Sequence, residues 1–427
     1  PAADWSGRLW VALPLLVTAA LYLPACLGAE WITDDRYLIA EHMRPGDIVG
    51  EWTTATHAHA ADVVGGYLWR PLTSTLYQLW AGVFGRSPAP FRLLSALVHV
   101  LNVSLVGLAS RRLGASAWVA ALGALAWAVH PLLPDAVCWV ADLYDLLATT
   151  FLLGGLVVAA TPARGRWPWL EALAGGLLFF GALLSKEAAV AWLAALPLML
   201  LLLRGCRPAV THGAALLVVA LAHSRWHGAI VGTFDRSASE VLLRSEFFAV
   251  WSDYLRWPLH LPVRAGYTHL VAPGAMPLSG LGLTVFAGAF VAFVLSFWYT
   301  SGAVRALAAG LVGWVILVSP GALAATLFLN QAARYLYLPM ALSTPALAVA
   351  VGHIRLPRAW LGWVAFGVWA AVMTPLAVAR VGAWQSETKL YSAEVAAEPE
   401  NPFAVKELGR LLVAAGDSGR GLRMWEW

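Results

Sequence analysis

Residues 91–114 read FRLLSALVHVLNVSLVGLASRRLG, and this stretch decides how the rest of the chain is read. From Phe91 to Ser110 it is apolar enough, and long enough at about 1.5 Å per residue, to cross a bilayer as one helix. It stops at Arg111-Arg112, a basic pair that the positive-inside rule keeps in the cytoplasm. One run thus predicts both a crossing and its direction.

Further apolar runs lie near 9–27, 116–132, 139–160, 168–185, 188–203, 208–224, 277–298, 303–319, 336–352 and 359–380. With 91–110 they predict an all-α polytopic membrane protein of about 11 transmembrane helices. The run at 9–27 exceeds a signal-peptide core and has no clean small-residue cleavage site after it, so it reads as a true span. Segments 68–84 and 246–262 are shorter and broken by Pro or charge, which suits interfacial or re-entrant helices.

Composition agrees. Of the 427 residues, 60% are hydrophobic and 12% charged, where a soluble domain carries about 25% charged residues. Such a chain cannot clothe a water-facing surface. The 23 Trp residues fit side chains that sit at membrane interfaces. A net charge of +4 is too small and too scattered to imply nucleic-acid binding. Cys26, Cys138 and Cys206 show no metal spacing and are too few for a disulfide framework, so Cys26 and Cys138 are expected as unpaired thiols.

Alternate loops hold Arg8; Arg111 and Arg112; Arg164 and Arg166; Arg204 and Arg207; Arg305; Arg355 and Arg358. The same rule puts all of them in the cytoplasm with the N-terminus. The opposite side then receives residues 28–90, the stretch from His130 to Asp135, the Ser185–Glu187 turn, residues 225–276, 320–335 and the tail after 380. Every residue pattern with chemical potential falls on that side.

Asp34-Asp35 follows the first span. Two adjacent carboxylates raise one another's pKa, which suits a general base or a cation ligand; a solvated turn has the same look. His130-Pro131 leads to Asp135, and Asp142 and Asp145 begin the next helix three apart on one face. Acids there either face a polar cavity or complement the helix dipole. Lys186-Glu187 is either a self-neutralising pair or a cation offered to phosphate. Arg334, in Arg334-Tyr335-Leu336-Tyr337-Leu338-Pro339, suits an anionic headgroup, because guanidinium binds phosphate bidentately; an interfacial Arg–Tyr belt is the other reading. His57, His59 and Asp62 do not share one helical face and read as a polar loop, with a metal site the weaker alternative. The tail, 384–427, is polar, and Leu408, Leu411, Leu412 and Ala415 recur at helical spacing before Gly416-Asp417, much as in one TPR helix and its turn.

As an ordered set these pieces resemble the GT-C membrane glycosyltransferases, most closely the transmembrane-and-TPR-containing O-mannosyltransferase type and its bacterial relatives. The matching residues are Asp34-Asp35; Trp69-Arg70-Pro71-Leu72; Phe91 to Gly114 with His99 and Asn102; and His130-Pro131 with Asp135-Ala136-Val137. Asp145-Leu146-Leu147-Ala148, Ser185-Lys186-Glu187 and Arg334 through Pro339 follow in order, with Arg225–Pro258 as an outer domain. The chain departs from the family at Asp135, where Glu is usual, at Leu143-Tyr144, where Gly-Arg is usual, and at Val263-Arg264-Ala265, where an acid is common.

The resemblance implies a GT-C-like transmembrane domain over 1–383, with outer loops 28–90 and 225–276, and an extracytoplasmic TPR-like tail over 384–427. It implies inverting transfer of a sugar, mannose or similar, from a polyprenyl-phosphate carrier to a protein, lipid or glycan acceptor, outside the inner membrane of a bacterium. Asp34 or Asp35 is then the base. Arg334, Lys186, Arg70, Tyr335 and Tyr337 are the phosphate and lipid-carrier residues, and His130, Asp135, Asp145 and Glu187 are positioners. No metal ligand set and no certain cofactor is implied, though a divalent cation is compatible. The alternative is a catalytically inactive GT-C-like subunit that acts as a scaffold and binds a protein partner through its tail.

Overall fold

A computed structural model describes residues 5–41, 43, 46–55, 68–161, 168–231, 245–259, 269–270, 277–299, 301–328, 330–355, 357–358 and 360–425. The pattern His57, His59 and Asp62 lies outside them, as do Arg164 and Arg166 and most of 232–276.

The chain is helical nearly throughout. Helix α1 (Trp5–Tyr22) ends in a 3-10 turn at Pro24, and a small helix α2 (Ile48–Thr53) and α3 (Pro71–Phe84) follow. Then come α4 (Pro88–Arg112), α5 (Ala117–Ala128), a short α6 (Pro134–Cys138), α7 (Leu143–Ala160) and α8 (Pro168–Leu183). The middle holds α9 (Trp192–Arg204), α10 (Cys206–Val231), α11 (Ser245–Arg256) and α12 (Gly280–Trp298). Next are α13 (Gly302–Leu317), α14 (Ser319–Leu327), α15 (Tyr337–Gly352) and α16 (Trp360–Ala383). The tail forms α17 (Glu387–Ala397), α18 (Pro402–Ala414) and α19 (Ser418–Trp425). The only β pairing among the described residues is a two-residue antiparallel ladder, His269 to Gln331 and Leu270 to Asn330.

Among the described residues, 8 helical segments are long and apolar enough to cross a membrane, so the chain is an α-helical polytopic membrane protein. The other expected spans are shorter apolar helices, Trp10–Cys26, Ala117–Ala128 and Trp169–Leu183. Their ends have local causes. His130-Pro131 ends the second and Pro168 starts the third, while the first is part of the continuous helical run Trp5–Cys26. The expected short helices at 68–84 and 246–262 are α3 and α11 with its turn Trp257–Leu259. Phe247, Val250 and Tyr254 bury one face of α11.

Lipid offers no hydrophobic drive between helices, so close packing of small residues holds them together. In α13, Ala306, Ala308 and Ala309 are fully buried, and a Cβ on Gly310 would lie 2.6 Å from Leu347 of α15. A Cβ on Gly123 of α5 would meet Ala348 at 2.9 Å. Helix α15 is the axis: with its leading turn, 72% of its apolar window is buried, against 11% for α10 and for α16. Those two present their apolar surface outward, as lipid-facing helices do.

A polar network also pins α4, α7 and α15. His99 and Asn102, three apart on α4, share a face. His99 Nδ1 lies 2.8 Å from the Tyr337 hydroxyl, and Asn102 Nδ2 donates to that hydroxyl at 3.1 Å and to the Leu146 carbonyl at 2.9 Å. Thr150 donates to Asn102 Oδ1 at 2.7 Å.

The tail is tied down rather than pendant. Its helices start at the N-caps Ser386, Asn401 and Asp417, and Gly416 turns α18 into α19 at φ +90°. Tyr391, Ala404 and Leu408 form its own small core. Trp384 and Leu390, both fully buried, belong instead to the core of the bundle. Cys26 and Cys138 are free thiols, as expected.

Candidate active site

One end of the bundle gathers the loops that the sequence places on one side. The Leu72 amide donates to the Leu184 carbonyl, the Tyr254 hydroxyl to that of Ala332, and the Glu30 amide to that of Gln385. Residues 30–36, 69–72, 130–145, 184–187, 254–258, 332–335 and 380–390 therefore adjoin one another.

The Asp34-Asp35 turn is held from three sides. Thr33 sits at φ +50°, a left-handed conformation that a β-branched residue rarely adopts. Strain of that kind persists only where the surroundings over-determine it. Here the Thr33 amide donates to Glu387 Oε1 of the tail at 2.9 Å, Ile32 is fully buried, and the Ala141 amide donates to Asp35 Oδ1 at 2.7 Å.

The two carboxylates differ. Asp35 is wholly buried, with Oδ2 lacking a hydrogen-bond partner among the described residues. Burial pushes its pKa up to about 7, against the opposing pull of the Ala141 amide and of the Arg92 charge. Asp34 has exposed surface, yet desolvation by surrounding protein raises its pKa as well, while the Arg334 charge draws it back down. Asp34 is thus the accessible carboxylate of the pair, and Arg334 lies within its electrostatic reach.

Arg334 belongs to a compact group of charged and aromatic side chains. Lys186 forms a short ion pair with Asp145 Oδ2 and lies 3.6 Å from Asp142 Oδ1. Its ammonium stands 5.7 Å from the Tyr335 ring centre. The Arg334 guanidinium lies 4.6 Å from the centre of the Trp139 ring and 4.9 Å from that of Tyr335. Contact with two aromatic faces holds the guanidinium in place. Gly321 permits this packing, since a Cβ there would lie 2.8 Å from the Tyr335 Cβ. Arg334 is also within electrostatic reach of Asp142.

Other predicted site residues have different surroundings. Arg70 does not stand open to phosphate: it chelates Glu187 through Nε at 3.0 and 3.1 Å and Nη2 at 2.8 Å, and lies 4.6 Å over the Tyr144 ring. Burial disfavours its charge, but Glu187 outweighs this and raises its pKa. Tyr337 points its hydroxyl into the His99–Asn102 network, inside the bundle. Asp135 Oδ1 accepts from Arg380 Nε at 2.8 Å and Trp384 Nε1 at 3.0 Å, and Arg380 Nη1 reaches Glu394 at 3.4 Å. That trio joins α6, α16 and α17, and places Asp135 in a structural tie. His130 accepts the Leu132 amide at 3.3 Å and reaches the Pro258 carbonyl at 3.4 Å. Burial pushes its pKa down to about 4, so it stays neutral.

The structure adds residues that pattern reading left out. Arg92 reaches the carbonyls of Ala25 and Glu30 at 3.4 and 3.1 Å, beside Asp35. Arg380 and Arg92 share a signal that sequence alone carries: a charge within a turn of a span's end, expensive there unless paired. Trp139, Glu387 and Glu394 carry no such signal. Among the described residues, no cluster of His, Cys, Asp and Glu suits a metal ion. No known protein family, curated protein or solved structure matches this chain.

Proposed function

We propose that the chain is a polyprenyl-phosphate-sugar-dependent glycosyltransferase of GT-C-like architecture, with eleven crossing helices and the Asp34 site on the extracytoplasmic face. The observation that carries this reading is the electrostatic meeting of Asp34 with Arg334, 300 positions apart in the chain (334 − 34). A carboxylate and a fixed cation near one another at a membrane boundary are what sugar transfer from a lipid phosphate needs.

Asp34 is the base, since it is accessible while Asp35 is enclosed. It takes the proton from an acceptor hydroxyl as that oxygen attacks the anomeric carbon from the face opposite the phosphate. The bond from that carbon to the phosphate oxygen breaks, and polyprenyl phosphate leaves with the electron pair. Arg334 offsets the charge that develops on it. Lys186, held by Asp145 and Asp142, positions Tyr335 against Arg334. Asp35, Thr33 and Glu387 hold the turn.

The test is transfer of a labelled sugar from its polyprenyl-phosphate carrier by the reconstituted chain. Asp34→Asn abolishes transfer while the protein keeps its wild-type melting temperature. Undiminished transfer by Asp34→Asn sinks the assignment. A chain that never consumes such a donor, wild type included, leaves the rival reading of a catalytically silent scaffold. That rival draws on Phe403 and Leu422, which are exposed on the tail.

A further inference from the structure

Beside the transfer site, on the far side of the Arg70–Glu187 pair, lies a group of aromatic rings that the chemistry above does not use. Trp69 and His223 have ring centres 5.8 Å apart. Trp69 is fully buried and His223 is 8% exposed, yet Trp69 Nε1 and His223 Nε2 have no hydrogen-bond partner among the described residues. A buried indole N–H and a buried ring nitrogen thus lie on neighbouring rings, and a buried polar atom left unmet is costly.

Two less buried indoles adjoin them. Trp226 is 40% exposed; it lies 5.0 Å from Trp69 and is stacked on Phe180 at 6.2 Å, which fixes its ring. Trp52 lies 6.0 Å from Trp226, tilted by 34°. Beyond Trp52, Glu51 accepts from Gln78 Nε2 at 3.2 Å, and Gln78 Oε1 has no partner.

The chemistry selects among ligands. An anion finds its nearest cation, Arg70, already chelated by Glu187, with Glu51 and Asp47 close by. An acyl chain covers the indoles but leaves the buried polar atoms unmet. One water would serve Trp69 and His223 but gives the less buried indoles no role. A neutral pyranose meets all of it: its C–H face lies on an indole, and each hydroxyl both donates and accepts.

We propose that Trp52, Trp226, Trp69 and His223 form a subsite for a neutral sugar ring, so that the substrate receiving the transferred sugar is itself a glycan or glycolipid. This rests on the transferase reading for the role of that sugar, not for its binding. The subsite joins the reaction centre through Glu187, next in chain to Lys186, and through Tyr144, next to Asp145.

The test is saturation-transfer NMR on the full chain in phosphatidylcholine nanodiscs, with methyl glycosides of mannose, glucose, galactose and N-acetylglucosamine as probes. At least one glycoside binds the wild type and binds Asp34→Asn equally. Trp226→Ala weakens it by about tenfold or more, and Trp226→Phe keeps it within about threefold. Trp226 is partly exposed, and matching melting temperatures check that both variants fold. Absence of binding by every glycoside, or binding indifferent to Trp226→Ala, overturns the proposal. If the donor is consumed but no glycoside binds, the subsite falls and the transferase reading stands. If glycosides bind through Trp226 but no donor is ever consumed, the transferase reading falls and the subsite stands.

Discussion

The two ends of the bundle handle charge in opposite ways. At the loop end, acids and bases are buried in matched groups: Lys186 with Asp142 and Asp145, Arg70 with Glu187, Arg380 with Asp135 and Glu394. At the other end, Ala115, Val119, Ala306 and Ala348–Ala350 close the bundle with small apolar side chains. Two arginines there bind carbonyls instead of acids: Arg111 donates to Ala115 at 2.7 Å, and Arg204 to Ala159, in the last turn of α7, at 2.9 Å. A buried charge is costly and its removal leaves a partner stranded. An arginine that grips a carbonyl at an interface is cheap. The difference teaches that the proposed site lies at the end where charge is costly to bury.

The comparison can be broken at several points. The largest contrast is catalytic. Asp34→Asn lowers sugar transfer by about 10³-fold or more, in the range for loss of a general base. Arg111→Gln, at the other end, leaves transfer within about twofold. Equal losses would mean that the loop end is not special.

Stability gives the next contrast. Arg380→Met strands Asp135 and Glu394 in the interior and destabilises by about 3–5 kcal/mol. Arg204→Gln costs about 1 kcal/mol or less. Thermal unfolding in a single detergent measures both.

Arg334→Gln comes third. It removes the charge facing the leaving phosphate and lowers transfer by about 10²-fold. Arg334→Lys recovers only part, because an ammonium does not stack between two rings. A full rescue by lysine would show that only net charge matters.

The smallest effect concerns Asp35. Its folded pKa, about 7, lies above the ordinary value for Asp near 4. A group raised in this way favours the folded state most below its unfolded pKa, and that contribution is lost as pH rises through 7. Asp35→Asn, which keeps an oxygen for the Ala141 amide, therefore raises the melting temperature by about 2–4 °C at pH 8 and by less at pH 5. Below pH 7 Asp35 is already largely protonated, so its removal takes no charge from beside Asp34 and the acid limb of the transfer profile stays in place. A limb that moves would show that Asp35 is charged while Asp34 titrates.

Much of this was legible from the residues, for reasons that also mark the limits. Hydrophobic runs and their arginine ends foretell where helices lie and which loops share a side. Length could not tell a full crossing from the shorter helices at Ala117–Ala128 and Trp169–Leu183, where Pro131 and Pro168 stand at the helix ends. The pairings were not legible at all. Asp135 meets Arg380 across 245 positions and Arg70 meets Glu187 across 117, and helical periodicity names a face without naming the neighbour. Arg70 and Tyr337 were assigned to phosphate through the family resemblance. Arg70 is chelated by Glu187, and Tyr337 is turned inward by the packing of α4 against α15. The difference between Asp34 and Asp35 was equally hidden, since it depends on which carboxylate the Ala141 amide meets.

The most direct test of the central claim is a structure of the chain in nanodiscs with a non-hydrolysable polyprenyl-phosphonate sugar. The account predicts phosphonate density within hydrogen-bond distance of Arg334, with the sugar ring lying between it and Asp34. Density for the phosphonate at Arg111, Arg204 or Arg305, with the Asp34 site empty, would contradict it.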